Sequence, residues 1–229
     1  MTSSTNNLQV IYEDNHLIVV NKRSGDIVQG DKTGDAPLSD FVKAYIKKKY
    51  NKPGDVYLGT VHRLDRPTTG IVLFARTSKA LSRMNKLFAD KNIQKTYWAV
   101  TEQAPKPATG ICDNWLKKNE KQNKSYVVKK GDGKHAELTY KTLGASDKYH
   151  LVEVLPKTGR HHQIRVQLSH QKAIIKGDLK YGAKRSNKDG SIHLHARKLE
   201  FIHPTTKEPV TIVAPTPEDP VWNYFSAKF

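Results

Sequence analysis

Cysteine is almost absent: Cys112 is the one cysteine in 229 residues, so the chain makes no internal disulfide and no thiolate-only metal cage. Long apolar runs are missing as well. The longest, such as residues 17–20 and 71–75, fall far short of the roughly 20 residues a helix needs to cross a bilayer. No positively flanked apolar stretch opens the chain, so no secretory signal is read there. A Gly-x-Ser-x-Gly elbow is lacking, which leaves acyl transfer unsupported. Gly131-Asp132-Gly133-Lys134 lacks the full glycine and Ser/Thr pattern of a phosphate loop and reads as a β-turn. Acid is scarce beside base. These absences point to a reduced, cytoplasmic protein without a membrane span.

What is present in excess is positive charge. Lys plus Arg number 39 against 22 Asp plus Glu, leaving +17 and a pI near 9.8. With 37% hydrophobic and 8% aromatic residues the chain has material for a real core, so it is no disordered basic tail. A surplus of this size raises a potential that concentrates polyanions. Nucleic acid fits best, because neutralising its phosphates releases counterions. The cations are spread over residues 47–49, 117–134 and 160–184, which suggests a broad basic face. The competing reading is a merely soluble basic protein or one that adheres to membrane surfaces.

Periodicity predicts strands at residues 10–12 and 17–21 around a turn. It predicts a helix carrying Leu38, Phe41, Val42, Tyr45 and Ile46, capped by Asp35. Residues 71–75 read as a buried strand, and Ser78 as the cap of a second helix. Further strands are expected at 95–101, 135–142, 149–155, 194–201 and 210–213, with a hairpin around 129–134. A short helix is expected over 163–170, and a last helical turn or two over 219–225. Many strands with few helices and no repeating βαβ period argue for an α+β fold with a mostly antiparallel sheet. No composition shift marks a domain boundary.

Two segments are chemically dense. In His62-Arg63-Leu64-Asp65-Arg66-Pro67-Thr68-Thr69-Gly70 one carboxylate lies between two guanidinium groups. Adjacent cations favour the ionised acid, which suits a nucleophile or base. An acid in a phosphate-binding protein repels its ligand, so Asp65 needs a reason; capping a turn, or pairing with Arg63 or Arg66, is the structural alternative. In Lys157-Thr158-Gly159-Arg160-His161-His162-Gln163-Ile164-Arg165 a helix start and its cations could face an anion, or form an ordinary basic helix start. His161, His162, His193, His195 and His203 have no acid or thiolate at ligand spacing, so no metal is expected.

Together these segments resemble the RluA-type RNA pseudouridine synthases. The first matches that family's His-Arg-Leu-Asp-x-x-Thr-Ser-Gly motif, with Thr69 where Ser is usual. Lys95-Thr96-Tyr97 is similar to its Lys-x-Tyr strand, and residues 158–165 to its Thr-Gly-Arg-x-His-Gln-Ile-Arg stretch. Gly177-Asp178, Tyr181-Gly182, Leu194-His195-Ala196 and His203-Pro204 follow in the family's order. The resemblance implies the pseudouridine synthase fold: an eight-stranded, mixed, mostly antiparallel sheet with a central catalytic cleft flanked by helices and loops. Residues 1–9 are expected to form a disordered tail and 10–229 a single catalytic domain, as in the compact branch without an N-terminal RNA-binding domain.

The resemblance further implies conversion of uridine to pseudouridine in structured rRNA or tRNA, by a monomer without cofactor or metal. It makes Asp65 the nucleophile, Arg165 its partner and Tyr97 the residue that stacks on the target base. Ile164 becomes the apolar floor under uracil, and Arg63 contacts the flipped nucleotide or fills its gap. Arg160 is counted among the substrate contacts. His62 is structural or faces a phosphate.

Overall fold

The computed structural model describes residues 2–30 and 34–229. Among them are eleven strands, three more than the resemblance implies. The first six are β1 (Val10–Glu13), β2 (Leu17–Lys22), β3 (Gly59–Thr60), β4 (Thr69–Ala75), β5 (Ile93–Thr101) and β6 (Thr109–Asn119). They are followed by β7 (Lys124–Val128), β8 (Lys134–Ala145), β9 (His150–Pro156), β10 (Leu194–Ile202) and β11 (Pro209–Val213). The helices are α1 (Leu38–Lys49), α2 (Ser78–Ala89), α3 (Gln163–His170) and α4 (Pro220–Ser226), with a 3₁₀ turn at Leu179–Tyr181.

These elements fall into two compact units, one ending at residue 94 and resuming over 196–217, the other comprising 95–195 and 218–229. The sequence shows no such boundary, and the reason is physical. Two of the three crossings lie inside strands, two residues into β5 and two residues into β10, where no turn residues mark a boundary.

In the first unit the strand order is β1-β2-β4-β10, with β3 beside β4 and β11 beside β10. Strands β2 and β4 pair antiparallel from Leu17↔Ala75 to Lys22↔Gly70, and every residue of both is buried. Burial on both faces is why they read as unbroken apolar runs instead of alternating ones. Val20, Val72 and Phe74 pack with Leu38, Val42 and Ile46 of α1, and Leu64 adds to that cluster. The far end of α1 is tied to β1 by Glu13, which accepts from Lys49, Tyr45, Tyr50 and Arg76.

Three expectations in this unit need revision. Asp35 does not cap α1: Pro37 occupies the cap position without a side-chain bond, and Asp35 lies 2.7 Å from Arg66 instead. The cap of α2 is Thr77, which accepts from the Ala80 amide, so Ser78 is the first helical residue. Of the segment expected as a disordered tail, Met1 lies outside the described residues. Ser3 is buried and donates from its amide (2.8 Å) and hydroxyl (2.6 Å) to Asp26, which anchors this stretch.

The second unit orders its strands β5-β9-β8-β6-β7, all paired antiparallel. Ile164 and Leu168 of α3 pack on Ala99, Leu138, Val152 and Val154. Trp222 and Phe225 of α4 close over Trp98, Val100 and Leu151; Asp219 caps that helix and Pro220 opens it. The hairpin expected at 129–134 is a turn but joins no paired strands, because β7 and β8 both pair with β6. The hairpin turn is at residues 120–123 instead. Strand β6 was hidden by its polarity: Cys112 and Leu116 are its only buried residues.

Gly70, the last residue of the His62–Gly70 segment, has φ +107, and a Cβ there would come to 2.6 Å from the Ala196 backbone nitrogen. Both the dihedral and the backbone contact require glycine. Gly70→Ala should therefore cost at least about 2 kcal/mol, lowering the melting temperature by roughly 4–8 °C; a calorimetric scan checks this, and an unchanged midpoint contradicts it.

Candidate active site

Asp65 sits on a turn of the first unit that is held from several sides. Its carbonyl accepts from the Thr68 amide at 3.0 Å, closing the turn over Arg66 and Pro67. Upstream, His62 Nε2 accepts from the Leu73 amide at 3.1 Å, and its ring stacks on Phe88 at 5.2 Å. Those two contacts give His62 a structural place. Leu64 turns into the core, Arg63 is exposed and Asp65 half-buried.

Beneath the turn lies Lys22, 1% exposed at the end of β2. Its ammonium donates to the carbonyls of Thr68 (2.7 Å), Arg66 (3.0 Å) and Arg23 (3.0 Å). An ammonium has three protons, and all three are used. Burial pushes Lys22 down to about 8, while the charges of Asp26 and Asp65 pull it back up. The side chain thus ties the Asp65 turn to the sheet mechanically and brings a positive charge near the carboxylate. Sequence reasoning missed it, since a lysine at the end of an apolar strand ordinarily marks emergence into solvent.

The second unit holds Tyr97, Ile164, Arg165 and Arg160. Half-buried Tyr97 packs against the apolar cluster to which Ile164 belongs. Arg165, the next residue of α3, is buried and pairs side-on with Asp178: Nε to Oδ2 at 2.7 Å and Nη2 to Oδ1 at 2.8 Å. This fork-to-fork pair engages two of the five guanidinium donors. Asp178 is itself 1% exposed, and the guanidinium carbon lies 5.1 Å from the Tyr181 ring centroid. Residues Gly177-Asp178 and Tyr181-Gly182 appeared in the sequence only as ordered family motifs; Asp178 and Tyr181 are the members that contact Arg165.

The start of α3 is built by Gln163. Its Oε1 accepts from Thr158 Oγ1 (2.7 Å) and the Arg160 amide (2.9 Å), and its Nε2 donates to the Glu137 carbonyl (3.0 Å). The Arg160 side chain is exposed and donates from Nε to the His135 carbonyl. His162 precedes the helix with φ +55 and stacks on His161 at 3.8 Å. Its Nδ1 lies 2.9 Å from the Tyr181 hydroxyl. Burial, with the charges of Arg165 and His161, pushes His162 down to about 2, so it is a neutral packing residue.

Among the described residues no three His, Cys, Asp or Glu side chains are grouped to hold a metal ion. No helix among them is long and apolar enough to cross a membrane. Cys112 is buried, and burial raises its thiol to about 11.

Two outcomes follow from the second unit. Asp178→Asn keeps the shape but strips Arg165 of a buried counter-charge, so unfolding in urea should show a loss of about 3–5 kcal/mol; a loss under about 1 kcal/mol contradicts the pairing. For His162, the unfolded chain takes up a proton near pH 6.5 while the folded protein stays unprotonated down to about 2. Its contribution is therefore complete above pH 6.5 and is lost as pH falls, by at most about 1.4 kcal/mol per pH unit. His162→Asn should flatten the stability profile between pH 6.5 and 4.5, and parallel profiles for the two proteins contradict this.

Comparison with known proteins gives the family and the fold. The sequence model of the RNA pseudouridylate synthases matches residues 16–170. The ribosomal large subunit pseudouridine synthase C of Vibrio vulnificus is 34% identical over 215 residues, covering 91% of this chain and 66% of that protein. The chain thus spans about two thirds of the length of that relative. The tRNA pseudouridine synthase C of Vibrio cholerae is 30% identical over 241 residues, covering 97% of this chain and 96% of the relative. Human RNA pseudouridylate synthase domain containing 4 superposes with a TM-score of 0.78 at 26% identity, over 95% of this chain and 92% of the human one. With a matching family model over more than half its length and this shared fold, the chain belongs to the RNA pseudouridylate synthase family.

Proposed function

We propose that this chain is an RNA pseudouridine synthase that isomerises a specific uridine in structured ribosomal or transfer RNA. The observation that carries the reading is the His62–Gly70 segment. It bears the family's motif, and its acid stands on a turn that a buried lysine holds through three carbonyls. Relatives named for ribosomal and for transfer RNA both align with the chain, which supports structured RNA as the substrate class. The +17 charge supports a polyanion.

In this reading Asp65 is the nucleophile, adding to the ribose anomeric carbon or to the uracil ring. The bond from N1 to the anomeric carbon breaks, uracil turns, and carbon 5 bonds to the ribose. N1 gains a proton and carbon 5 gives one up, so atoms and charge balance and no oxidant or cofactor enters. Arg165, itself held by Asp178, is assigned to orient Asp65. Tyr97 stacks on the base and assists proton removal from carbon 5, with Ile164 as the apolar floor. A paired uridine has to leave its stack, costing a few kcal/mol; stacking on Tyr97 and contacts from exposed Arg63 and Arg160 offset that cost. The enzyme is taken to act in the cytoplasm, as a monomer, without metal.

Asp65→Asn removes the nucleophile and keeps the shape. Purified Asp65→Asn protein should form no pseudouridine in RNA that the parent modifies, while binding that RNA within about threefold of the parent; retained turnover would sink the assignment. Arg165→Met should lower the single-turnover rate by at least about a hundredfold. A rate within threefold of the parent refutes its role.

A further inference from the structure

We propose that the outward face of the β6–β7 hairpin is a second RNA-contact surface, taking the single-stranded segment that flanks the target uridine. The inference rests on the RNA-directed reading above and adds the place where the strand lies. In the antiparallel register Lys117 stands opposite Tyr126, and Asn119 opposite Lys124. These cross-strand pairs share one face of the sheet. Lys117 and Tyr126 are exposed, the tyrosine to 40%. The ammonium of Lys124 lies 5.3 Å from the Tyr126 ring centroid and 5.1 Å from that of Tyr181.

Cations interleaved with an exposed aromatic ring are what an unpaired strand requires, phosphates going to lysine and a base face to the ring. A charged protein partner would use the lysines but has no need of an exposed tyrosine ring between them. Acid is present and partly spent: Glu120 lies 2.6 Å from Lys118, leaving Lys117, Lys121 and Lys124 as the cations of the strip.

The hairpin is also held in place before any ligand arrives. Lys180 Nζ donates to the carbonyl of Asn123 at 3.0 Å. His161 Nε2 stands 3.1 Å from Asn123 Oδ1, and His161 Nδ1 stands 2.9 Å from Ser125 Oγ. Ser125 N donates to the Tyr181 hydroxyl at 2.9 Å. The tip is therefore fixed against the start of α3, the helix that carries Ile164 and Arg165. Lys124 and Arg165 each stand 5.1 Å from the Tyr181 ring centroid, so the Lys124 end of the strip lies beside the start of α3. Preorganisation of this kind removes an ordering cost from binding.

The test uses the full chain carrying Asp65→Asn, so that nothing turns over, and a single-stranded, uridine-containing RNA of about 15 nucleotides. With Lys117, Lys121 and Lys124 all changed to Gln, affinity at 0.1 M salt should fall roughly tenfold, and the slope of log K against log salt should flatten by about 2. Tyr126→Ala should weaken binding by about five- to tenfold, by loss of one stacked base, and leave the slope unchanged. Exchanging the exposed Lys52, Lys79 and Lys148 for Gln should change affinity by less than threefold. Parental affinity and slope in the triple variant would overturn the proposal. So would an equal loss in the Lys52 set, which would report net charge alone. If the triple variant fails to melt cooperatively, Tyr126→Ala decides by itself. The assay reads binding without catalysis, so its failure and a failure of Asp65 as nucleophile are separate results.

Discussion

A lysine with almost no contact with water holds the turn on which the proposed chemistry depends. Keeping an ammonium in a protein interior is costly unless each of its protons finds an acceptor. Lys22 meets that condition with three backbone carbonyls, two of them from the Asp65 turn itself. Backbone acceptors keep the charge uncancelled by a paired carboxylate, so its field reaches Asp65 and Asp26. A carboxylate on a loose loop would wander by more than reaction geometry allows. The same turn is bounded by His62 on one side and by Gly70 on the other, where β4 runs too close to Ala196 for any side chain.

The second unit handles charge differently. Its buried Arg165 is compensated by Asp178 in a side-on pair, and the remaining polar groups around the start of α3 bond to one another. A half-satisfied network there would be worse than an apolar core. His162 completes this arrangement by staying neutral, since a second positive charge beside Arg165 would have no counter-ion.

How far the sequence disclosed this depended on burial pattern. Strand β4 was legible because burial on both faces leaves an unbroken apolar run, and α4 because Asp219 and Pro220 form a standard helix start. Strand β6 was not, because only two of its residues are buried and most of the others are polar or lysine. The same polarity displaced the hairpin by about ten residues. Asp65 stood out as an acid between arginines, and Arg165 through its motif. Lys22 did not, and Asp178 appeared as a motif without a role, because no one-dimensional signal separates a buried charge with distant partners from an exposed one. Asp178 lies 13 residues from Arg165, and Lys22 lies 46 from Thr68. Such pairings exist only once the chain has folded. The division into two units was invisible for a related reason, since two of the three crossings between them lie inside strands.

The most direct measurement is nucleotide-resolution mapping of pseudouridine in protein-free ribosomal and transfer RNA, prepared without this activity and incubated with the purified wild-type chain alone. The account predicts that one or a few discrete uridines become pseudouridine, with no metal or cofactor added. RNA that binds the protein and emerges with every uridine unchanged would contradict it.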